Sequence, residues 1–146
     1  VAPSRVRMLV AARAERREDM ERFLTELQRD VDIISKRTGV PVEPLSVVSD
    51  NLPTPCDGGL QNVLDAACER VGATHRRMAS GAGHDTAWMA RVTRAAMLFI
   101  PCRSGRSHAP DEATTAEEIA LGAAVLLDAV IALDKALQEE DKWDAS

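Results

Sequence analysis

Apolar residues along this chain change their spacing repeatedly, and each change predicts an element. Between Arg5 and Ala14, the residues Val6, Met8 and Val10 fall on one side at two-residue steps, the period of a strand. Met20, Phe23, Leu24, Leu27, Val31 and Ile34 then recur at three- and four-residue steps opposite a face of Arg, Asp, Glu and Gln. That pattern is an amphipathic helix, and Gly39 supplies its stop. Val40 to Val48 returns to an extended pattern, and Pro41 and Pro44 place it at a sheet edge. The result is a strand-helix-strand unit of roughly fifty residues, smaller than most domains that fold alone. From Asn51 to Gly59 the composition shifts to Pro, Asp and Gly, which predicts a domain junction.

Beyond the junction, Gly59 to Val71 reads as an amphipathic helix closed by Gly72. Arg76 to Ala79 reads as a short extended piece and His84 to Arg91 as a short helix. Ala95 to Pro101 is a continuous apolar run, expected to be a buried strand. Thr115 followed three residues later by Glu118 is a capping box that opens the longest helix, running to about Gln138 with a broad face of Ala, Leu, Val and Ile. The tail, Glu139 to Ser146, is polar and expected to fray. The expected fold is therefore an α+β half-module over residues 1–50 and an α/β layer over residues 51–146. Neither part looks complete, because so few strands leave the apolar stripe of the first helix in need of cover.

Charge and composition then narrow the function. A net charge of -5 spread over both signs, with no Tyr and few other aromatics, argues against a nucleic-acid partner. The apolar runs Ala95–Ile100 and Ile119–Leu127 are too short to span a bilayer, and Asp128 and Asp134 interrupt the second pattern, so no membrane role is expected. No signal peptide is visible at Val1. Cys56, Cys68 and Cys102 form no CxxC pair and are odd in number, which fits reduced thiols in a cytoplasm.

Candidate chemistry concentrates in two stretches. His108, in Ser107-His108-Ala109-Pro110-Asp111-Glu112, follows the carboxyl end of the expected strand, where open α/β sheets place ligand-binding groups. A lone loop histidine is more often a surface or hydrogen-bonded residue, and zinc needs three or four protein ligands, which no spacing here supplies. His84 follows Gly81-Ala82-Gly83, so backbone N–H groups and an imidazole are placed to meet an anion or a polarised carbonyl; a glycine turn with a capping residue reads equally well. Arg13 ends the first strand, where a guanidinium forks onto a carboxylate or is simply solvated among Arg16, Arg17 and Glu18. His75 reads as exposed beside Arg76 and Arg77. No GxSxG elbow or Walker loop occurs.

SGAGHD at Ser80–Asp85, MLFIP at Met97–Pro101, GRSHAPDE at Gly105–Glu112 and the capped helix that follows, in this order and spacing, resemble the carboxyl-terminal part of the hydantoinase/carbamoylase amidohydrolases, within the dinuclear zinc exopeptidases. The resemblance covers the chain except its acidic tail. It implies that residues 1–50 are the second half of a ferredoxin-like lid that also forms a homodimer contact. Residues 51–146 would be the last part of an α/β zinc-exopeptidase catalytic domain. By position, His108 matches a metal-ligating histidine and Glu112 its acidic partner in the motif, Gly83 and His84 match substrate-contacting residues, and Arg13 matches the arginine that grips the substrate carboxylate. Ala11 stands where the family usually has Asp, two residues before that arginine.

The implied activity is hydrolysis of a linear amide or ureido C–N bond in a small carboxylate-bearing substrate, of the N-carbamoyl amino acid or allantoate type. The implied cofactor is a pair of divalent ions, zinc or manganese. The general base and the other ligands would precede Val1, so the chain is expected to be inactive alone, as a fragment, a truncated product or one piece of a split enzyme. Two alternatives are a related zinc peptidase or aminoacylase, and a non-catalytic fragment that self-associates through the strand-helix-strand unit.

Overall fold

The computed structural model describes residues 4–144, the side chains of 139–144 excepted. It contains α1 (Arg17–Thr38), α2 (Gly58–Val71), α3 (Thr86–Met89) and α4 (Ala116–Asp144), with a 3-10 turn at Arg103–Gly105 between the last two. These group into two compact units: one runs through Thr54 and adds Ala79–Ala82, and the other holds Pro55–Met78 and the chain from Gly83 onward.

In the first unit, α1 follows from the three- and four-residue apolar spacing. Glu18 and Asp19 occupy its first turn and Lys36 and Arg37 its last, the arrangement that the helix dipole favours. Gly39 ends it with φ 70° and donates its N–H to the Ser35 carbonyl at 3.0 Å. None of its residues is buried. The flanking segments belong to no helix, and no described residue belongs to a β-ladder. The strands expected at Arg5–Ala14, Val40–Val48 and Ala95–Pro101 therefore do not form here, because an extended segment becomes a strand only when a second one satisfies its N–H and C=O groups. Side chains hold residues 40–50 instead: Gln28 Oε1 accepts the Leu45 N–H at 3.0 Å, Ser35 Oγ donates to the Val40 carbonyl at 2.7 Å, and Arg17 pairs with Asp50 at 2.6 Å.

In the second unit, Asp57 caps α2 by accepting the Leu60 N–H on Oδ1 at 2.8 Å, and Gly72 closes it with φ 78°. Thr115 Oγ1 accepts the Glu118 N–H at 3.2 Å, the forward half of the expected capping box. The helix so opened continues to Asp144, past the expected end at Gln138; Ala145 and Ser146 of the tail lie outside the described residues. α2 and α4 pack through Ala67, Cys68, Val125 and Ala129, with Val63, Leu64, Val71, Ala73 and Leu98 against them. Three of these four core residues are small, which lets the backbones approach. Arg70 closes the edge with hydrogen bonds from Nε and one terminal nitrogen to Asp128 Oδ1.

The segment Ala95–Pro101 lies along this pair. Its Ala95 carbonyl accepts the Asp57 N–H at 2.8 Å, and Ile100 fills the space beside Gly122 so closely that a Cβ there would overlap its side chain. Residues 95–98 are half-buried while Phe99 and Ile100 are exposed, so the expected buried strand is a half-covered segment outside any ladder. Among the described residues no helix is long and apolar enough to cross a membrane.

Candidate functional site

The loop after Pro101 presents His108 on a closed frame. At its neck Arg103 N–H donates to the Ala113 carbonyl at 2.7 Å, and Thr114 Oγ1 donates to the Pro101 carbonyl at 2.7 Å. Within it, the Cys102 thiol donates to the Arg106 carbonyl at 3.0 Å, and Arg106 pairs with Asp111 at 2.6 Å. Ser104, Gly105 and His108 all take positive φ, at 56°, 64° and 56°. Glycine adopts that conformation freely; His108 needs something to hold it there. Glu112 Oε2 accepts the His108 N–H at 2.8 Å, so the motif's acid binds the histidine's backbone. The imidazole is exposed and makes no hydrogen bond among the described residues, which leaves both ring nitrogens available.

His84 is half-buried and packs edge-on against Phe99, with ring centroids 5.5 Å apart at 60°. This contact joins the glycine-histidine stretch to the MLFIP segment, and sequence carries no sign of it, since nothing in a continuous apolar run says which face meets a ring. The helix after His84 is only Thr86–Met89, shorter than the expected His84–Arg91, and Asp85 makes no side-chain cap. Gly83 has open space where a Cβ would be. Beside this stretch, Arg91 lies over Trp88 at 4.2 Å from the ring centroid.

In the first unit, Arg13 is exposed and makes no hydrogen bond or ion pair among the described residues. It lines a concavity of about 410 Å³ with Ala11, Ala12, Ala14, Asp19, Met20 and Phe23. Asp19, the acid of that surface, already pairs with Arg22. Ala11 offers no carboxylate, so the guanidinium keeps its charge for another partner. Gly81 approaches the same side chain: a Cβ on it would stand 3.8 Å from Arg13 Cδ.

Electrostatics elsewhere are structural. Burial pushes the Cys68 thiol up, assisted by the charges of Asp65 and Glu69. His75 is exposed, as expected, with Nε2 3.6 Å from Asp65, and the same carboxylate takes two hydrogen bonds from Arg77, at 2.9 and 2.6 Å. Arg77 also reaches Gln61 and Asn62, so it ties the segment after α2 back onto that helix. Among the described residues no group of three or more His, Cys, Asp or Glu is placed to hold a metal ion.

Residues 12–132 match Peptidase family M20/M25/M40, and the chain belongs to that family. Arg13, Gly83, His84, His108 and Glu112 all fall inside the matched stretch. The chain is 31% identical over 131 residues to an N-carbamoyl-L-amino-acid amidohydrolase of Rhizobium meliloti, covering 90% of this chain and 31% of that protein. Another N-carbamoyl-L-amino-acid amidohydrolase, from Paenarthrobacter aurescens, is 43% identical over 76 residues, 50% of this chain and 18% of that protein. An allantoate amidohydrolase of Bacillus subtilis (strain 168) is 30% identical over 131 residues, 88% of this chain and 31% of that protein. The chain thus spans at most 31% of the length of these relatives. The resemblance drawn from SGAGHD, MLFIP and GRSHAPDE therefore led to the right family.

Proposed function

We propose that this chain is part of a metal-dependent amidohydrolase that cleaves a linear amide or ureido C–N bond in a small carboxylate-bearing substrate. The observation that carries the reading is the family match over residues 12–132, with relatives named for N-carbamoyl-L-amino acids and allantoate. On this reading residues 1–50 are half of a ferredoxin-like lid, and residues 51–146 close an α/β zinc-exopeptidase catalytic domain. Exposed Phe23, Ile33 and Ile34 on α1 support a homodimer contact through that lid.

Each site residue has work suited to its surroundings. Arg13 binds the substrate carboxylate: a guanidinium forks onto two oxygens, and among the described residues Arg13 has no hydrogen bond or ion pair to give up. His84, with Gly83 beside it, contacts the substrate near the scissile carbonyl, and Phe99 fixes its ring plane. His108 supplies one imidazole ligand, and Glu112 supports it. The family is generally metal-dependent, and zinc or manganese, two ions in the complete enzyme, suits an imidazole donor. The described residues do not complete a metal centre.

The test is hydrolysis of N-carbamoyl amino acids and of allantoate by the complete enzyme that contains these residues, with bound metal measured on the same sample. Residues that merely orient a ligand are worth about 10–100-fold, so removing the ligand itself in His108→Ala is expected to lower kcat/KM by at least about 100-fold and bound metal with it. Unchanged activity in that variant overturns the assignment.

A further inference from the structure

We propose that Glu112 is a positioning residue that acts on the His108 backbone: it holds that residue in the left-handed conformation and thereby fixes the direction in which the imidazole leaves the loop. The inference deepens the preceding reading and rests on it, since a directed imidazole matters only if His108 is chemically used.

The loop divides the labour between acid and ring in an unusual way. A carboxylate four residues from a histidine would ordinarily be read as the partner of the ring, accepting a hydrogen bond from Nδ1 or Nε2 and setting the tautomer. Here Glu112 Oε2 takes the main-chain N–H of His108 at 2.8 Å, and the ring has no described hydrogen-bond partner. The Glu112 N–H in turn donates to the Ala109 carbonyl at 3.0 Å, closing a turn that folds the acid back toward the histidine. Pro110 lies inside that turn and has no N–H to compete for the carboxylate. His108 at φ 56° is a non-glycine residue in a sparsely populated region, and such a residue persists only where its neighbours over-determine it. The neck bonds at Arg103 and Thr114 and the Arg106–Asp111 pair fix the loop as a whole. Among the side chains of this loop, Glu112 is the one whose bond ends on the His108 backbone itself.

The required chemistry is therefore a hydrogen-bond acceptor, and a negative charge on it adds strength without being essential. A glutamine oxygen accepts the same N–H. Glu112→Gln and Glu112→Ala are compared in the purified enzyme for kcat/KM, for circular dichroism, and for amide exchange at His108. Glu112→Ala is expected to lower kcat/KM by roughly 10–100-fold, the usual cost of losing a residue that orients a catalytic group. Glu112→Gln is expected to stay within about tenfold of wild type, because the weaker neutral acceptor remains in place. The His108 amide is expected to be protected in wild type and in Glu112→Gln, and to exchange at an unprotected rate in Glu112→Ala. Glutamine failing as badly as alanine overturns the proposal, because the charge rather than the acceptor would then be what matters. An unprotected His108 amide in the wild type overturns it as well. Should Glu112→Ala lose its circular dichroism signal, the glutamine variant decides by the same criterion. Full activity in His108→Ala marks failure of the functional reading instead, and the amide-exchange comparison still judges the latch.

Discussion

α1 and the α2–α4 pair are helices held by different means. α1 places charges at both ends, ends on a left-handed glycine and carries Arg17–Glu21 and Arg22–Asp19 pairs on its surface, yet it buries no residue. α2 and α4 interlock through Ala67, Cys68, Val125 and Ala129. Local devices contribute a few tenths of a kcal/mol apiece and set where a helix starts and stops. Packing decides whether it persists, since short helices in water are marginal. The contrast teaches that clear ends say nothing about what a helix rests on.

The sharpest way to break this contrast is a carboxylate placed on each helix. Ala67 is 0% exposed, and Ala67→Asp is expected to cost more than about 4 kcal/mol and to melt α2 and α4 together, because the new charge has no partner in the core. Leu24→Asp on half-buried Leu24 of α1 is expected to cost about 1 kcal/mol. Urea unfolding followed by circular dichroism measures both, and equal losses would erase the distinction.

A subtler substitution turns on sign. Gly→Ala inside a helix ordinarily stabilises by about 1 kcal/mol. At Gly122 of α4 the added methyl meets the Ile100 side chain, and overpacking costs about 1–3 kcal/mol, so Gly122→Ala is expected to destabilise by about 1 kcal/mol net. Stabilisation in the same melt would mean that the Ala95–Pro101 segment yields easily.

The smallest effect is alkaline. Burial raises the Cys68 thiol above its ordinary value of 9.0, so the folded state prefers the protonated form. That preference contributes fully below the unfolded value and is lost as pH rises through the folded one. Stability of the α2–α4 pair should therefore fall above about pH 9 in wild type and fall less in Cys68→Ala, as urea melts at pH 7 and pH 10 would register. Identical pH slopes would show that the thiol is not held in the core.

What sequence made legible follows the same divide. The helices and their stops at Gly39 and Gly72, and the opening at Thr115, depend on neighbours three or four residues away, which periodicity reports. Strand identity depends on a partner anywhere in the protein, so Val6, Met8 and Val10 gave the alternation of a strand without showing what would pair with it. Motif order singles out His84 and His108 as candidates, and the end of the first expected strand singles out Arg13, but none of these reveals the residues' surroundings. The ring contact with Phe99 and the left-handed backbone at His108 involve no residue type that signals them. Glu112 stood out as an acid, and its choice of the main-chain N–H over the ring required coordinates.

The unladdered segments also bear on how long the protein survives. Proteases take their substrates as extended backbone with free N–H and C=O groups, and most native chains must first unfold locally to offer one. Residues 5–14 belong to no helix or ladder, with Val6, Met8 and Val10 at 77, 80 and 59% exposure and Arg5, Arg7 and Arg13 as basic cleavage points. Whatever pairs with this segment in the cell would act as its shield, and turnover of the protein would then be timed by the lifetime of that pairing and not by the melting of any helix.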